Sequence, residues 1–406
     1  MNISDSERVS AVLESLNYKK TSNINDADLI AVVMCSVRQS AVDRVQGLMQ
    51  KFEKIRQKNP KLKTVLTGCI LKRDKKIFIN SFDCVIDIKE IKNLPSLLNI
   101  KNKIRGKNIY LDIKPKYFSK FSASIPIMTG CNNFCSYCIV PYAREREVSR
   151  PAKKIISEIK NLIKNDYKEI WLLGQNVNSY KNKNITFPKL LKMANMIPGN
   201  FWIRFTSSHP KDFNSEVISA MATGKKITPY LNLPIQSGDD KILKLMNRHY
   251  TVKDYKNKIR ELREKIPGIC LSTDIIVGFP GETKKQFENT IKLFKNIKYD
   301  LAYINKYSTR HGTAAAKLAD NVTIEEKKRR EKILTAILKQ TALENNKKYI
   351  GRRVGVLIDS EKNGRLFGKT KEYKTIETKS NKNLVGKFVK LKIIDAGPWK
   401  LKGNLL

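Results

Sequence analysis

At 406 residues, 41% of them hydrophobic, the chain is long enough for two to four domains with their own cores and too apolar to be disordered. No stretch approaches the roughly 20 uncharged apolar residues that cross a bilayer, and the polar start MNISDSERVS has no secretory core; the expected location is the cytoplasm. Seventy-nine Lys and Arg against 38 Asp and Glu leave a net charge of +41, which favours a polyanionic partner through counterion release, although lysine-rich runs such as KNKIRGK (101–107) are also the pattern of a solvated face.

The first segment, residues 1–120, opens with a helical pattern over 5–16, with Val9, Val12, Leu13 and Leu16 on one side. A buried strand, Asp28–Met34, a long helix over about 37–58, a second strand, Lys63–Thr67, and a third, Val85–Asp87, follow. Strand, helix, strand at these lengths predicts a doubly wound parallel sheet. Cys35 and Cys69 are expected just past the carboxyl ends of two strands, the edge along which open α/β sheets bind ligands. A doubly wound unit normally opens with a strand, so the first strand is expected to be missing from this chain, through truncation or a start codon placed too late.

The second segment, residues 121–342, repeats strand-then-helix six times: IPIM (125–128), IWLLG (170–174), WIRFTSS (202–208), YLNLPIQ (230–236), LSTDIIVG (271–278) and LAYINKYS (301–308), with helical patterns over 152–165, 252–265 and 284–297. This predicts a partial (βα)6 TIM-type barrel with its chemistry on the loops at the strands' carboxyl ends. A basic helix over 323–347, starting at the cap-like Thr323, leads to short strands in residues 343–406 that read as a small β-barrel. Residues 341–406 carry 16 basic and 6 acidic residues, a net +10 suited to RNA. No cluster motif lies in this barrel, so its removal is expected to weaken RNA binding and spare the chemistry.

The strongest signal is Gly130-Cys131-Asn-Asn-Phe-Cys135-Ser-Tyr-Cys138. Three thiolates spaced CxxxCxxC in a loop after the first barrel strand suit three irons of a four-iron cluster and leave the fourth iron open to a small chelating ligand. A zinc knuckle is the other reading, but zinc takes four N/S ligands and no fourth Cys or His lies nearby.

Cys131, Cys135 and Cys138, with aromatic Tyr137 before the last Cys, resemble the radical S-adenosylmethionine (SAM) signature. The resemblance implies a [4Fe-4S] cluster whose open iron takes the amino and carboxylate groups of SAM, an electron from the cluster, and a 5′-deoxyadenosyl radical that abstracts an unreactive hydrogen atom. It further implies that Tyr137 lies against the adenine, that the turn Ile276-Val-Gly278-Phe-Pro280-Gly-Glu282 brings backbone to the adenine, and that Gly174, Gln175 and Asn176 bind the methionine end. Arg248, in MNRHYT, is expected to contact SAM or a tRNA phosphate.

The segments CSVR (35–38), TGC (67–69), GCNNFCSYCIVPYAREREVSRP (130–151), LLGQNVNSY (172–180), RFTSSHP (204–210), LPIQSGDDKILKLMNRHYT (233–251) and STDIIVGFPGET (272–283) resemble the MiaB-type methylthiotransferases over nearly the whole chain, with a TRAM-like final barrel. That resemblance implies methylthiolation at C2 of N6-isopentenyladenosine-37 of tRNA, favoured over the relatives by LLGQNVN and RFTSSHP. It also implies a second, auxiliary [4Fe-4S] cluster on three N-terminal Cys. Cys35 and Cys69 match the second and third of these, so the ligand set is expected to be incomplete in this chain. Expected partners are tRNA, an electron donor such as flavodoxin or ferredoxin, and a sulfur source; the expected state is a monomer.

The alternatives are the threonylcarbamoyladenosine relative, the ribosomal-protein relative, and a truncated, non-catalytic tRNA-binding form. Cys84 and Cys270 read as structural. His209 is expected either at the active site or in a structural hydrogen bond, and Arg144 and Arg150 as a rim for phosphate or carboxylate, or as solvated residues. Asn232 stands where the family often has His, and His249 and His311 are assigned no role.

Overall fold

The computed structural model describes residues 1–37, 39–100 and 110–406; Arg38 and the lysine-rich run at 101–107 lie outside the described residues. The chain divides into two compact units. One comprises Met1–Ser119, Thr129–Asn132 and Cys138–Val148, and the other Lys120–Met128, Asn133–Tyr137 and Ser149–Leu406.

In the first unit, α1 (Asn2–Ser15) precedes β1 (Leu29–Cys35), α2 (Gln39–Lys58), β2 (Lys63–Cys69), α3 (Lys72–Phe78) and β3 (Cys84–Val85). The strands form a parallel sheet in the order β1-β2-β3. Period-2 alternation explains why both faces are covered. Leu29, Ala31 and Val33 pack on the α1 side with Val9, Val12 and Leu16. Ile30, Val32 and Met34 pack on the other side with Val42, Val45 and Phe52 of α2 and Phe78 of α3.

Two expectations change here. Helix α1 starts three residues earlier than its apolar pattern and buries Ser4, Asp5, Glu7 and Arg8. Their burial is compensated: Arg8 donates to Ser4 and to the carbonyl of Leu111, and Asp5 is ion-paired with Arg144 at 2.6 Å. Strand β3 is shorter than expected because Asp87 accepts from Lys89 N–H and caps the 3₁₀ turn Ile88–Asn93 instead of continuing the ladder.

In the second unit, β4 (Ser122–Pro126) is followed by α4 (Ala152–Lys164), β5 (Glu169–Leu173), α5 (Phe187–Asn195), β6 (Trp202–Phe205), α6 (Ser215–Thr223), β7 (Tyr230–Asn232), α7 (Asp240–Leu245), α8 (Val252–Lys265), β8 (Cys270–Val277), α9 (Lys284–Ile297), β9 (Leu301–Lys306) and α10 (Ile324–Lys347). The six strands are parallel, as expected for the partial barrel, but they form two three-stranded sheets, β6-β5-β4 and β7-β8-β9. Ile203 of β6 also bridges Ile227, three residues before β7 begins. The expected strand over 230–236 stops at Asn232, because Pro234 has no N–H to donate to a ladder. The strand over 202–208 stops at Phe205, two residues before Ser207 turns to a φ of +65°.

The C-terminal strands β10 (Arg353–Lys362), β11 (Arg365–Thr370), β12 (Thr375–Lys379), β13 (Phe388–Ala396) and β14 (Leu401–Leu405) close a barrel in the order β10-β11-β12-β14-β13. Its core is Val356, Ile358, Leu366, Ile376, Leu391, Ile393 and Leu401.

This small barrel packs on the six-strand one. Arg204 of β6 is fully buried and donates to the carbonyls of Lys371 (2.9 Å) and Thr370 (2.8 Å) in the turn between β11 and β12. Its Nε pairs with Glu169 at 2.6 Å, and Glu169 also accepts from Trp171 and Ser122. Tyr373, from the same turn, packs on Tyr230 (4.5 Å between rings) and Trp171 (5.4 Å). Lys374 pairs with buried Asp300 at 2.5 Å, and Trp202 meets Phe388 at 4.7 Å. Strand alternation sends Trp171, Trp202 and Arg204 away from the helix layer, and this turn covers them.

Candidate cysteine cluster and cofactor sites

In the first unit, Cys35 and Cys69 are the last residues of β1 and β2 and pair directly in the parallel register. They therefore sit within the strands, not past their ends, and their side chains are neighbours for the same reason. Cys69 donates to Cys35, and with help from the Val37 N–H and the positive charge of Arg144 this holds Cys35 down at about 6. Cys69 is pushed up, first by that same hydrogen bond and then by burial. The pair thus prefers one thiolate and one thiol. Arg144, expected either as a rim for phosphate or carboxylate or as a solvated residue, is buried; it reaches Asp5 at 2.6 Å and the Tyr110 hydroxyl at 3.2 Å. Its burial is possible because Asp5 supplies the counter-charge.

The loop with the remaining cysteines is fixed residue by residue. Gly130 has φ +82°, and a Cβ there would lie 2.0 Å from the carbonyl oxygen of Arg146, so only glycine fits. Cys131 N–H donates to Glu145 O at 3.1 Å, and Cys138 is partly exposed.

In the second unit, Ser136 N–H donates to Met246 O and its hydroxyl to Leu245 O. Asn247 donates to the carbonyl of Phe134 at 2.9 Å, and Lys211 to the Asn133 side chain at 2.7 Å. Arg248 is buried, with Nη1 3.3 Å from Cys135 Sγ and 3.4 Å from the Tyr137 hydroxyl, Nη2 on Pro234 O at 2.8 Å, and Nε on the Tyr250 hydroxyl. Tyr137 packs beside Phe279, Tyr307 and Met246. Among the described residues no three His, Cys, Asp or Glu side chains close on a point as ligands of a single ion do.

The expected cofactor residues lie on loops at the carboxyl ends of their strands. Gly174 follows β5, and a Cβ there would lie 2.7 Å from Met128 Cγ. Gln175 and Asn176 follow. Asn176 donates to Asp212 at 2.7 Å, and the side-chain oxygens of Gln175 and Asn176 are buried without a hydrogen-bond partner among the described residues. Gly278, at φ +67°, opens the turn after β8, and Pro280 and Glu282 complete it. Glu282 is buried, accepts from Gly278 N–H at 2.7 Å and pairs with Arg330 at 2.7 Å. Its carboxylate holds the turn from beneath. Burial pushes that carboxyl up against both partners.

Arg150, the second residue expected on the rim, is buried and bonds Pro126 O and Glu158. Cys84 and Cys270 are buried core residues. Asn232 bonds Asp274 and Ser272. His209 is buried; its Nδ1 accepts from Lys211 N–H at 3.2 Å and its ring stands edge-on to Tyr250 at 5.8 Å.

Burial, with the charges of Arg248 and Lys211 added, lowers His209 to about 2 from 6.5. The unfolded chain therefore binds a proton below pH 6.5 that the folded chain refuses, and stability falls as pH drops below that value. The expected slope is about 1.4 kcal/mol per pH unit from this one group. Urea unfolding of the wild type and of His209→Gln between pH 5 and 7 measures it; equal slopes would remove His209 as the cause.

Sequence reasoning missed Lys211, Asn247 and the buried role of Arg144, since none carries a local motif.

The Radical SAM superfamily profile matches residues 125–294, that of Uncharacterized protein family UPF0004 residues 1–88, and that of the TRAM domain residues 347–406. The chain is 41% identical to the tRNA-2-methylthio-N(6)-dimethylallyladenosine synthase of Clostridium botulinum strain Langeland, over 100% of this chain and 94% of that one. It is 39% identical to the protein of the same name from Caldicellulosiruptor saccharolyticus, over 100% and 90%. Its fold is similar to that of a cobalamin-dependent SAM radical enzyme, OxsB, with TM-score 0.54 at 10% identity over 85% of this chain and 54% of that one. It is also similar to the radical SAM methyltransferase TsrM of Kitasatospora setae, with TM-score 0.50 at 14% identity over 76% and 68%.

Proposed function

The chain belongs to the family of tRNA-2-methylthio-N(6)-dimethylallyladenosine synthases, and from that premise we propose how its residues divide the work. It is a radical SAM methylthiotransferase, and its reaction joins a methylthio group to C2 of N6-isopentenyladenosine-37 of tRNA. The observation that carries the division is that the cysteine groups have different partners: Cys35 and Cys69 stand opposite each other in the β1–β2 register, and Cys135 has Arg248 Nη1 at 3.3 Å from its sulfur.

Cys131, Cys135 and Cys138 hold the radical [4Fe-4S] cluster, and Cys35 and Cys69 supply thiolates to an auxiliary one. The donors of the radical cluster fit, three cysteines spaced CxxxCxxC on one loop; the auxiliary set is incomplete, with two cysteines where the family uses three. When bound, these groups supply the electron that cleaves SAM and the sulfur that is transferred. Tyr137 flanks the adenine of SAM, Gly278 and Pro280 bring backbone to it, and Gly174, Gln175 and Asn176 receive the methionine end, the last two with side-chain oxygens that have no hydrogen-bond partner among the described residues. Glu282 and Arg248 are positioning residues: the first fixes the Gly278 turn, the second ties the loop at Cys135 and Tyr137 to Pro234 and Tyr250. An electron donor of the flavodoxin or ferredoxin kind and a sulfur source complete the reaction. Among the described residues no helix is long and apolar enough to cross a membrane. The proposed setting, from the tRNA substrate, is a monomer in the cytoplasm.

The test is anaerobic reconstitution with iron and sulfide, turnover with SAM and a reductant on isopentenylated tRNA, and mass analysis of the digested nucleosides. The methylthio adduct of isopentenyladenosine is expected, with none on unmodified adenosine. Methylthiolation of threonylcarbamoyladenosine instead, or tRNA binding without any product, would overturn the reading.

A further inference from the structure

At the amino ends of β7, β8 and β9, opposite the loops that carry Gly174 and Gly278, lies a groove of about 750 Å³ between the six-strand barrel and the small β-barrel. Its cationic lining is Arg263, Lys298, Lys348, Arg352 and Arg353. Of its two acidic lining residues, Asp300 is already neutralised by Lys374, which leaves Glu372. Among the described residues, Lys348, Arg352 and Arg353 have no carboxylate within ion-pairing distance: Lys348 donates to Asn345, and Arg352 lies over the Tyr349 ring at 5.7 Å.

The basic surface continues onto the small barrel. Arg353 of β10 stands directly opposite Lys392 of β13 in the antiparallel ladder, and both are exposed. Like charges directly opposite destabilise a sheet, and a bound polyanion offsets that cost. The cations are strung along a groove and a strand pair and do not converge on one point, which matches a line of phosphates better than a single small anion.

Resting on the tRNA reading above, we infer that this groove binds the sugar–phosphate backbone of a tRNA arm other than the loop bearing the reacting base. The position requires the second half of that statement, since the reacting base enters at the carboxyl ends of the strands and the groove lies at their amino ends. The rigid Arg204 and Tyr373 junction holds the two walls of the groove in register.

The test compares the reconstituted wild type with the triple variant Lys348→Glu, Arg352→Glu, Arg353→Glu, and with a control of equal charge change on the same small barrel, Lys362→Glu, Lys379→Glu, Lys382→Glu. All six residues are exposed. Affinity is read by anisotropy over a salt series, for full-length isopentenylated tRNA and for its isolated anticodon stem-loop. The groove variant is expected to lose about tenfold or more in affinity for the full-length tRNA and to lower the salt slope by roughly 2 to 3, about one per phosphate contact removed. The stem-loop, too short to reach the groove, should lose little. Equal losses in the control, or an unchanged slope in the groove variant, would overturn the groove as a site. Equal losses on tRNA and stem-loop would overturn its assignment to a distant arm. A wild type that binds tRNA but forms no methylthio product would sink the functional reading alone, because the groove is measured by binding.

Discussion

Replacing any one of Cys131, Cys135 or Cys138 by Ala abolishes reductive cleavage of SAM, whereas replacing Cys35 or Cys69 leaves cleavage intact and removes methylthiolation. The first half follows from coordination: three thiolates hold three irons, so losing one loses the cluster and the open iron with it. At Cys135 the loss is compounded, because Arg248 then points its Nη1 at an empty site. The second half follows from the ligand sets: Cys35 and Cys69 are paired with each other at the ends of β1 and β2 and are not part of the CxxxCxxC loop. The measurement is 5′-deoxyadenosine and methylthionucleoside formed in the same anaerobic assay. A Cys35→Ala protein that no longer cleaved SAM would overturn the division of roles.

Deleting residues 347–406 is expected to yield an unstable protein and not a catalytic core that merely binds tRNA poorly. The small barrel's turn covers Arg204, Trp171 and Tyr230 in the larger barrel, and Lys374 neutralises buried Asp300. Without it, the two carbonyl acceptors of Arg204 and the partner of Asp300 disappear. A point substitution isolates the effect: Arg204→Met leaves Glu169 with its charge uncompensated, at a cost of about 3–5 kcal/mol. Denaturant unfolding of the two proteins checks it. An unfolding midpoint unchanged in Arg204→Met, together with a soluble truncation that still cleaves SAM, would restore the small barrel to a detachable RNA-binding module.

Which features were legible in the sequence follows from the range of the interactions behind them. The cluster motif lies within nine residues of chain, Gly130 to Cys138, and its spacing alone points to iron. The parallel strands were legible because both faces of their sheets are covered, which turns them into apolar runs. Thr323 was legible as a cap because capping is local: its hydroxyl accepts from Glu326 N–H at 3.2 Å. Strand ends were read too far where a proline or a left-handed residue intervenes, as at Pro234 and Ser207.

The sequence by itself therefore determined the element types, the cysteine spacing and the strongly positive charge, since periodicity, spacing and net charge are properties of neighbouring residues or of the whole composition. Tertiary structure alone decided which charges are buried and what they serve. Arg144 meets Asp5 across 139 residues, Arg248 meets Cys135 across 113, and Arg204 reaches Lys371 across 167. No local pattern marks these arginines, because an arginine destined for solvent and one destined for a buried partner look alike in sequence. The difference is made by folding, which places a carboxylate, a carbonyl or a thiolate at the end of the side chain and so offsets the cost of taking its charge out of water.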